Sequence, residues 1–440
     1  MRGTILSSVA SLALMTTAAV AGGKVTVITS FPDSMTGPIE AAFEAAHPEF
    51  DLEILNKKTS AGVKYIQEIA GDNTADIFWA SAPDAFEVLK GDQLLSKVTI
   101  TSEGIPDRIG AYPLNDPEGY YFGFAGAGYG IMWNERYLKA NDLAPAKEWM
   151  DLAGAEYHGH VGMSAPSRSG TTHLTVETLL QGEGWDQGWS QWKRIAGNFR
   201  TVTERSFGVP DGVNTGNFGL GIVIDFFGFS SKASGFPVDF AYPTVTALVP
   251  ANVAVVADAP NEDGAVTFIN YMLTPEGQSV LLDPAIMRLP INPATYADAP
   301  EGFPNPFEDS TIGASVKFDV EKSGARYNLV NSMFDVMITY RLDDLRAAVG
   351  ALHEAEARYS KTGNEEAKAL IDEAWALIDA NPIDEAQSLD PEFAGIFTKK
   401  RRKATDEVGE RQAEIEQRWD AFVVENYARA TELANKAAAM

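Results

Sequence analysis

The sequence contains no cysteine. Disulfides, thiol catalysis, iron–sulfur clusters and a lipid-modified cysteine are therefore excluded. Histidine is scarce, limited to His47, His158, His160, His173 and His353. No P-loop, dinucleotide fingerprint, Gly-x-Ser-x-Gly elbow or His-Glu-x-x-His zinc helix occurs in the 440 residues, so the common enzyme signatures are missing. Beyond the first 21 residues no apolar run is long enough to span a bilayer. Positive charge is in deficit, with 35 Lys+Arg against 61 Asp+Glu and a net charge of −26. A surface of that sign repels nucleic acid and anionic lipid. An acidic ligand would need a pocket that is locally positive or lined by amides.

What is present supports sizeable cores: hydrophobic residues make up 45% of the chain and aromatics 10%. The length fits two or three domains. The opening segment, MRGTILSSVASLALMTTAAVAGG, has one Arg followed by an apolar run from Ile5 to Val20. Ala19-Val20-Ala21 has the small-x-small form of a leader-peptidase site. This predicts a signal peptide over residues 1–21, cut after Ala21, and an untethered protein in a Gram-negative periplasm.

From Lys24 onward strand and helix patterns alternate. Lys24–Thr29, Asp51–Leu55 and Asp76–Ala80 read as strands, with helices over Ile39–Ala46, Val63–Ala70 and Ala85–Lys90 between and after them. The alternation predicts an α/β fold with a mostly parallel sheet. The strands end in small hydroxyl residues, Thr29-Ser30, Thr59-Ser60 and Ser81. Ligands in open α/β sheets sit at such ends. YYFGFAGAGYGIMW, from Tyr120 to Trp133, reads as a glycine-rich strand crossing between lobes, and VTALVPANVAVV, from Val245 to Val256, as a strand that carries the chain back. A helix is expected over Gly264–Leu282. Beyond about Pro306, helical spacing recurs at Leu342, Leu345, Val349 and Leu352 and again at Ile415, Trp419, Phe422 and Val423, indicating a separate helical region.

Some chemistry-bearing residues have plain structural readings. His158-Gly159-His160 has chelating spacing but no third ligand near it in sequence, and reads as a polar turn. Trp185, Trp189 and Trp192 have the spacing of a helix face packed into a core, although such a face could also stack a sugar. The basic run Lys399–Lys403 reads as a solvated segment or a partner for the chain's own acidic surface.

SAPSRSGTTHLTVETLL, from Ser164 to Leu180, is different. Ser169, Gly170, Thr171 and Thr172 present hydroxyls and unpaired amides where a helix begins, and the helix dipole favours an anion there. Arg168, His173, Arg205 and Lys232 are the candidate charge partners. Capping alone would explain the same residues.

The segments KVTVITSF, ADIFWASAPDAFEVLKG, YHGHVGMSAPSRSGTTHLTVETLL and LTPEGQSVLLDPAIMRLPINP, in this order, make residues 24 to about 300 resemble periplasmic solute-binding proteins of ABC importers, in the branch containing the ferric-ion-binding proteins. The resemblance implies two α/β lobes joined by two crossing hinge strands, a type II-like fold. The first lobe would comprise residues 22–128 and 250–310, the second 129–249, with a C-terminal α-helical extension over 311–440. Where iron-binding members carry an adjacent tyrosine pair, this chain has Asp225-Phe226, and phenylalanine cannot ligate a metal. The Ser-Gly-Thr-Thr element matches the place where those members hold an anion.

IDFFGFSSKASGFPVDFAYPTVTALVPANVAVV and the tail from Ser315 look closest to the sugar-phosphate and phosphoglycerate branch, one member of which works with a sensor kinase. The resemblance thus implies a binding protein, not an enzyme, for a small phosphorylated organic anion, with neither metal nor cofactor. Its ligand contacts would be Ser30, Ser81, Ser169, Gly170, Thr171, Thr172, Asp225 and Phe226. Its partner would be an inner-membrane ABC permease or the periplasmic domain of a sensor kinase. Ferric ion with a bound anion is the alternative ligand.

Overall fold

The computed structural model describes residues 22–440 apart from 102, 110–111, 310–311, 314 and 399–405. The expected leader and the basic run at 399–403 lie outside the described residues. Among the described residues no helix is long and apolar enough to cross a membrane.

The strands are β1 (Gly23–Thr29), β2 (Phe50–Asn56), β3 (Ile77–Ala80), β4 (Arg108–Ile109), β5 (Tyr112–Pro113), β6 (Phe122–Asn134), β7 (Val161–Ser164), β8 (Phe199–Thr203), β9 (Leu220–Ile224), β10 (Val238–Ala241), β11 (Leu248–Val255) and β12 (Leu289–Pro290). β4 and β5 form a small ribbon, and the others form one mixed sheet in the order β2-β1-β3-β11-β6-β9-β7-β8, with β10 and β12 also on β6. β1, β2 and β3 run parallel at one end, and β9, β7 and β8 run parallel at the other. β1 is buried from Val25 to Thr29, as suits a strand covered by helices on both faces.

The centre of the sheet is where the two halves meet. β6 pairs with β11 over Phe122–Gly128 and with β9 over Tyr129–Trp133, so a single strand belongs to both halves. Its glycines admit close neighbours: a Cβ on Gly128 would stand 2.6 Å from Tyr242, and one on Gly130 would stand 2.1 Å from the Ala241 carbonyl. β11 is the second crossing strand, and its register with β6 shifts between Ala251 and Asn252, just after Pro250.

Local departures from the sequence pattern have local causes. The first helix begins at Asp33 rather than Ile39 and tolerates Pro38 inside it. Thr59 and Ser60 do not end a strand but open the helix Thr59–Ile69. The expected helix at Gly264–Leu282 is two, Glu262–Met272 and Pro275–Val280, because the Thr274 hydroxyl accepts the Gly277 N–H and starts a new helix.

The described residues form two apolar cores, the first of which reaches across the hinge to Val209, Val213 and Phe218. One surrounds β1, β3, β6 and β11. The other joins the second half of the sheet to the C-terminal helices: Trp185, Trp189, Trp192 and Ile195 pack in one cluster with Leu345, Val349, Ile371, Trp419 and Tyr427. Contact is close enough that a Cβ on Gly197 would lie 2.3 Å from Val349. The three tryptophans of the helix Trp185–Ala196 are thus core residues, with two indole N–H groups donating to the Val176 and Ile383 carbonyls. His158 and His160 separate, toward Asn198 and Tyr137 respectively.

Candidate functional site

Two sets of three parallel strands, β1, β2 and β3 from one half and β9, β7 and β8 from the other, deliver their carboxyl ends to one cleft between the halves. Ser30, Phe31 and Pro32 follow β1, Lys58 and Thr59 follow β2, and Ser81 follows β3; from the other side come Arg168, Ser169 and Thr171 after β7, Arg205 and Ser206 after β8, and Phe226 and Phe227 after β9. Together they enclose a cavity of about 370 Å³, including its open mouth. Each segment leads into a helix, so helix N-termini converge on the cavity and supply amides and positive dipole ends.

The helix Gly170–Gly182 shows how the local sequence builds one wall. Ser169 stays extended and its hydroxyl accepts the Thr172 N–H at 3.2 Å, the geometry of an N-cap. The amides of Gly170 and Thr171 precede any intrahelical partner. Gly170 lies against the opposite lobe, where a Cβ would stand 2.6 Å from Ala82 and 2.9 Å from Thr59. Across the same gap the Ser60 hydroxyl donates to the Ser167 carbonyl at 3.2 Å.

Charge is concentrated at the mouth. Lys58 pairs with Glu204 from the other lobe, and Arg168 Nη1 lies 3.6 Å from the same carboxylate and donates to the Thr203 carbonyl at 3.3 Å. Burial pushes the Arg205 guanidinium down from its ordinary value, and it lies over the Phe207 ring at 4.7 Å. Three cations against one carboxylate leave the cleft positive in a protein that is strongly negative overall.

Of the residues singled out from sequence, Ser30, Ser81, Arg168, Ser169, Thr171, Arg205 and Phe226 line this cavity. Gly170 and Thr172 stand beside it in the same helix start. Three others face elsewhere. His173 is two positions past Thr171 and so points to the far side of the helix, where it meets Asp84 at 3.2 Å, Ser323 at 3.1 Å and Asn331 at 2.9 Å. Lys232, in the last turn of the helix Asp225–Ala233, is exposed and pairs with Asp239 at 2.8 Å.

Asp225 is buried behind Phe226. Its carboxylate accepts from the Gly128 N–H at 2.7 Å, the Tyr242 hydroxyl at 2.8 Å and the Phe226 N–H at 2.7 Å. It therefore ties the start of a helix to the crossing strand β6. Burial pushes it up to about 6 against these hydrogen bonds.

Thr59, marked in the sequence as a hydroxyl near a strand end, lines the cavity; sequence reasoning missed Lys58, Phe31 and, above all, Arg288. Arg288 has no exposed surface. Its Nη2 donates to the Ser81 hydroxyl at 2.6 Å, and its guanidinium lies 4.7 Å from the Phe31 ring centroid and 4.4 Å from that of Phe226. The signal was a lone Arg inside the apolar run Ala285–Ile291.

Two lobes built on strand ends, a positive cleft between them and two strands crossing at its floor define a two-lobed periplasmic binding protein. Residues 72–307 match the family of bacterial extracellular solute-binding proteins. The chain is 31% identical over 377 residues to the phosphoglycerate transport regulatory protein PgtC of Salmonella typhimurium, a match covering 84% of this chain and 89% of the relative. The chain belongs to this solute-binding family.

Its fold is shared with AfuA of Actinobacillus pleuropneumoniae, solved with exogenous fructose 6-phosphate bound; the TM-score is 0.63 at 19% identity, over 71% of this chain and 98% of AfuA. It is shared also with the apo ferric ion-binding protein A of Pasteurella haemolytica, with a TM-score of 0.55 at 15% identity, over 71% of this chain and 96% of that one.

Proposed function

We propose that this solute-binding protein captures a small phosphorylated organic anion in the cleft and presents it to an inner-membrane permease. The observation that carries the reading is the convergence of helix N-termini, serine and threonine hydroxyls, Lys58, Arg168 and Arg205 on one cavity. The phosphate would take the amides of Gly170 and Thr171 and the hydroxyls of Ser169 and Thr171, with Ser30 and Ser81 reaching it from the first lobe. Phe226 would be an apolar wall. The names of PgtC and of the fructose 6-phosphate complex of AfuA agree with that ligand class.

Calorimetry on the mature chain tests it with matched pairs, fructose 6-phosphate against fructose and 3-phosphoglycerate against glycerate. Binding is expected only with the phosphorylated member of at least one pair, and equal binding within both pairs overturns the reading. Ferric ion in this cleft would meet the Phe226 ring and an Asp225 carboxylate already engaged by three donors. Addition of ferric citrate is expected to give no phenolate-to-iron absorption band.

A second reading, ligand sensing for a kinase, draws on the contacts between the helix Gly170–Gly182 and the C-terminal region. His173, Glu177 and Gln181 share one helix face, and they meet Ser323 and Asn331, Arg326, and the backbone of Asp319 respectively. The helix that opens at the cavity is thereby fastened to the tail. Because the tail shares the second lobe's core, point changes test this reading better than deletion. Aspartate in place of Leu389 and Val424, both exposed on the tail, should abolish induction of the transport genes while sparing ligand affinity if the tail docks on a sensor. Unchanged induction supports delivery alone.

A further inference from the structure

Arg288 precedes β12, which is hydrogen-bonded to the crossing strand β6 at Gly126 and Ala125, so its backbone belongs to the hinge floor of the cleft. Its side chain is fully buried, clamped by Phe31, Phe226 and, at 5.6 Å, Phe124. Three of its neighbours, Ser81, Phe31 and Phe226, are also lining residues of the cavity. The one side-chain hydrogen bond it makes among the described residues is to Ser81, and Nε and Nη1 donate to nothing.

Such an arrangement is costly as it stands. A buried guanidinium normally has a paired carboxylate and satisfied N–H groups, and contact with aromatic faces replaces neither. Asp225 is close enough to favour the charged form, yet burial prevails and pushes Arg288 down to about 10. Asp225 itself spends its oxygens on Gly128, Tyr242 and Phe226. Behind the cavity wall there is therefore a formal positive charge that, among the described residues, no carboxylate meets by a hydrogen bond or ion pair.

The cations at the mouth are a different set. Lys58 and Arg168 share Glu204, and with Arg205 they surround the helix N-terminus at Ser169. There are thus two cationic poles, one polar and open at the mouth, the other buried behind the wall that Ser81, Phe31 and Phe226 give to the cavity. A phosphate suits the first. The second suits a small planar anion, because a carboxylate held at Ser81 can accept from guanidinium N–H groups that have no other partner.

We infer that Arg288 and Ser81 bind the ligand's carboxylate, so that the solute is a phosphorylated carboxylic acid rather than a phosphorylated sugar. This rests on the proposed phosphate reading and selects within it. Ser81 accepts from Arg288 and keeps its own O–H to donate to the same carboxylate. Closure of the lobes over the ligand then brings the two anionic ends to two separately built poles.

The test uses the full mature chain and three probes: 3-phosphoglycerate, glycerol 3-phosphate, which replaces the carboxylate with a hydroxymethyl group, and glycerate, which lacks the phosphate. The wild-type protein is expected to prefer 3-phosphoglycerate over glycerol 3-phosphate by about 30-fold or more, the scale of charge-assisted hydrogen bonds to a buried group. Arg288→Met should lose that preference, weakening 3-phosphoglycerate by a similar factor and glycerol 3-phosphate by about threefold at most.

Equal wild-type affinity for the two phosphorylated probes overturns the inference, as does a variant that weakens both equally, since that is the behaviour of a merely structural clamp. If the Met variant does not fold, as judged by circular dichroism, Arg288→Lys decides. It keeps the charge but not the fork, and should narrow the preference by about tenfold; an unchanged preference overturns the inference. Failure of the underlying phosphate reading looks different, because glycerate would then bind as well as both phosphorylated probes.

Discussion

Arg326 holds Glu177 through two parallel hydrogen bonds, Nε to Oε1 and Nη2 to Oε2, both 2.8 Å long, and neither side chain is exposed. Burial pushes the Glu177 carboxyl up, but the charge and hydrogen bonds of Arg326 outweigh it and hold the group below the usual carboxylate range. Arg326→Met should therefore destabilise the protein by about 3–5 kcal/mol, because it leaves a buried carboxylate unpaired. Adding Glu177→Met should restore most of the loss. Denaturant titration of both proteins checks this, and a double variant no better than the single one would contradict it.

Gly170 is the closest approach of the helix start to the opposite lobe, toward Ala82 and Thr59. Gly170→Ala is expected to obstruct lobe closure while leaving each lobe folded. Ligand affinity should fall by about tenfold or more with the melting temperature of the ligand-free protein little changed, since overpacking of this kind costs about 1–3 kcal/mol only when the lobes close. Calorimetry paired with small-angle scattering, with and without ligand, reads both parts.

Asp225 carries a pH signature. Its folded value of about 6 exceeds the ordinary 3.8, so between these values the native chain holds a proton that the unfolded chain has released. The stability contributed by this group is fully present below 3.8 and is lost as the pH rises through about 6. Melting of wild type and Asp225→Asn from pH 7 to pH 4 should show their difference moving in favour of wild type as the pH falls. A difference independent of pH would contradict this origin.

Glu204 is 71% exposed on its side chain and occupies both Lys58 and Arg168 at the mouth. Glu204→Gln should release the two cations to the ligand and raise affinity for a phosphorylated anion by about fivefold or less, the range of an exposed ion pair. The gain should shrink in high salt. A loss of affinity would show instead that the bridge to Lys58 matters more for closure than for charge.

Much of this architecture is written locally. KVTVITSF gives a buried strand with a hydroxyl tip, the alternating glycines of β6 mark a crossing strand, and Ser169-Gly170-Thr171-Thr172 marks a helix start at the cavity. These features depend on neighbours in sequence, so the pattern exposes them. His173 misled because adjacency in sequence is not adjacency on a helix: two steps from Thr171 turn its imidazole to the far face, toward Asp84 and Ser323. Arg288 was hidden for the opposite reason. Its partner Ser81 is 207 residues away, and only the fold brings the two together. The tail's attachment is equally non-local, since the spacing of Leu345, Val349 and Leu352 shows an apolar face without saying that Gly197 and Trp192 cover it.

The shared core of the second lobe and the tail sets an order of assembly. A chain is made from its N-terminus, and domains tend to fold as their last residues become available. The first core is complete once the chain reaches Val320. The second draws on Ile131 and Trp133 near its start but needs Ala434 and Ala437 at its end. The tryptophan face of the helix Trp185–Ala196 must therefore wait, wet, for the final helix Glu410–Ala438 to be synthesised. The lobe that helps grip the solute therefore cannot complete its core until the last helix is available to pack on it.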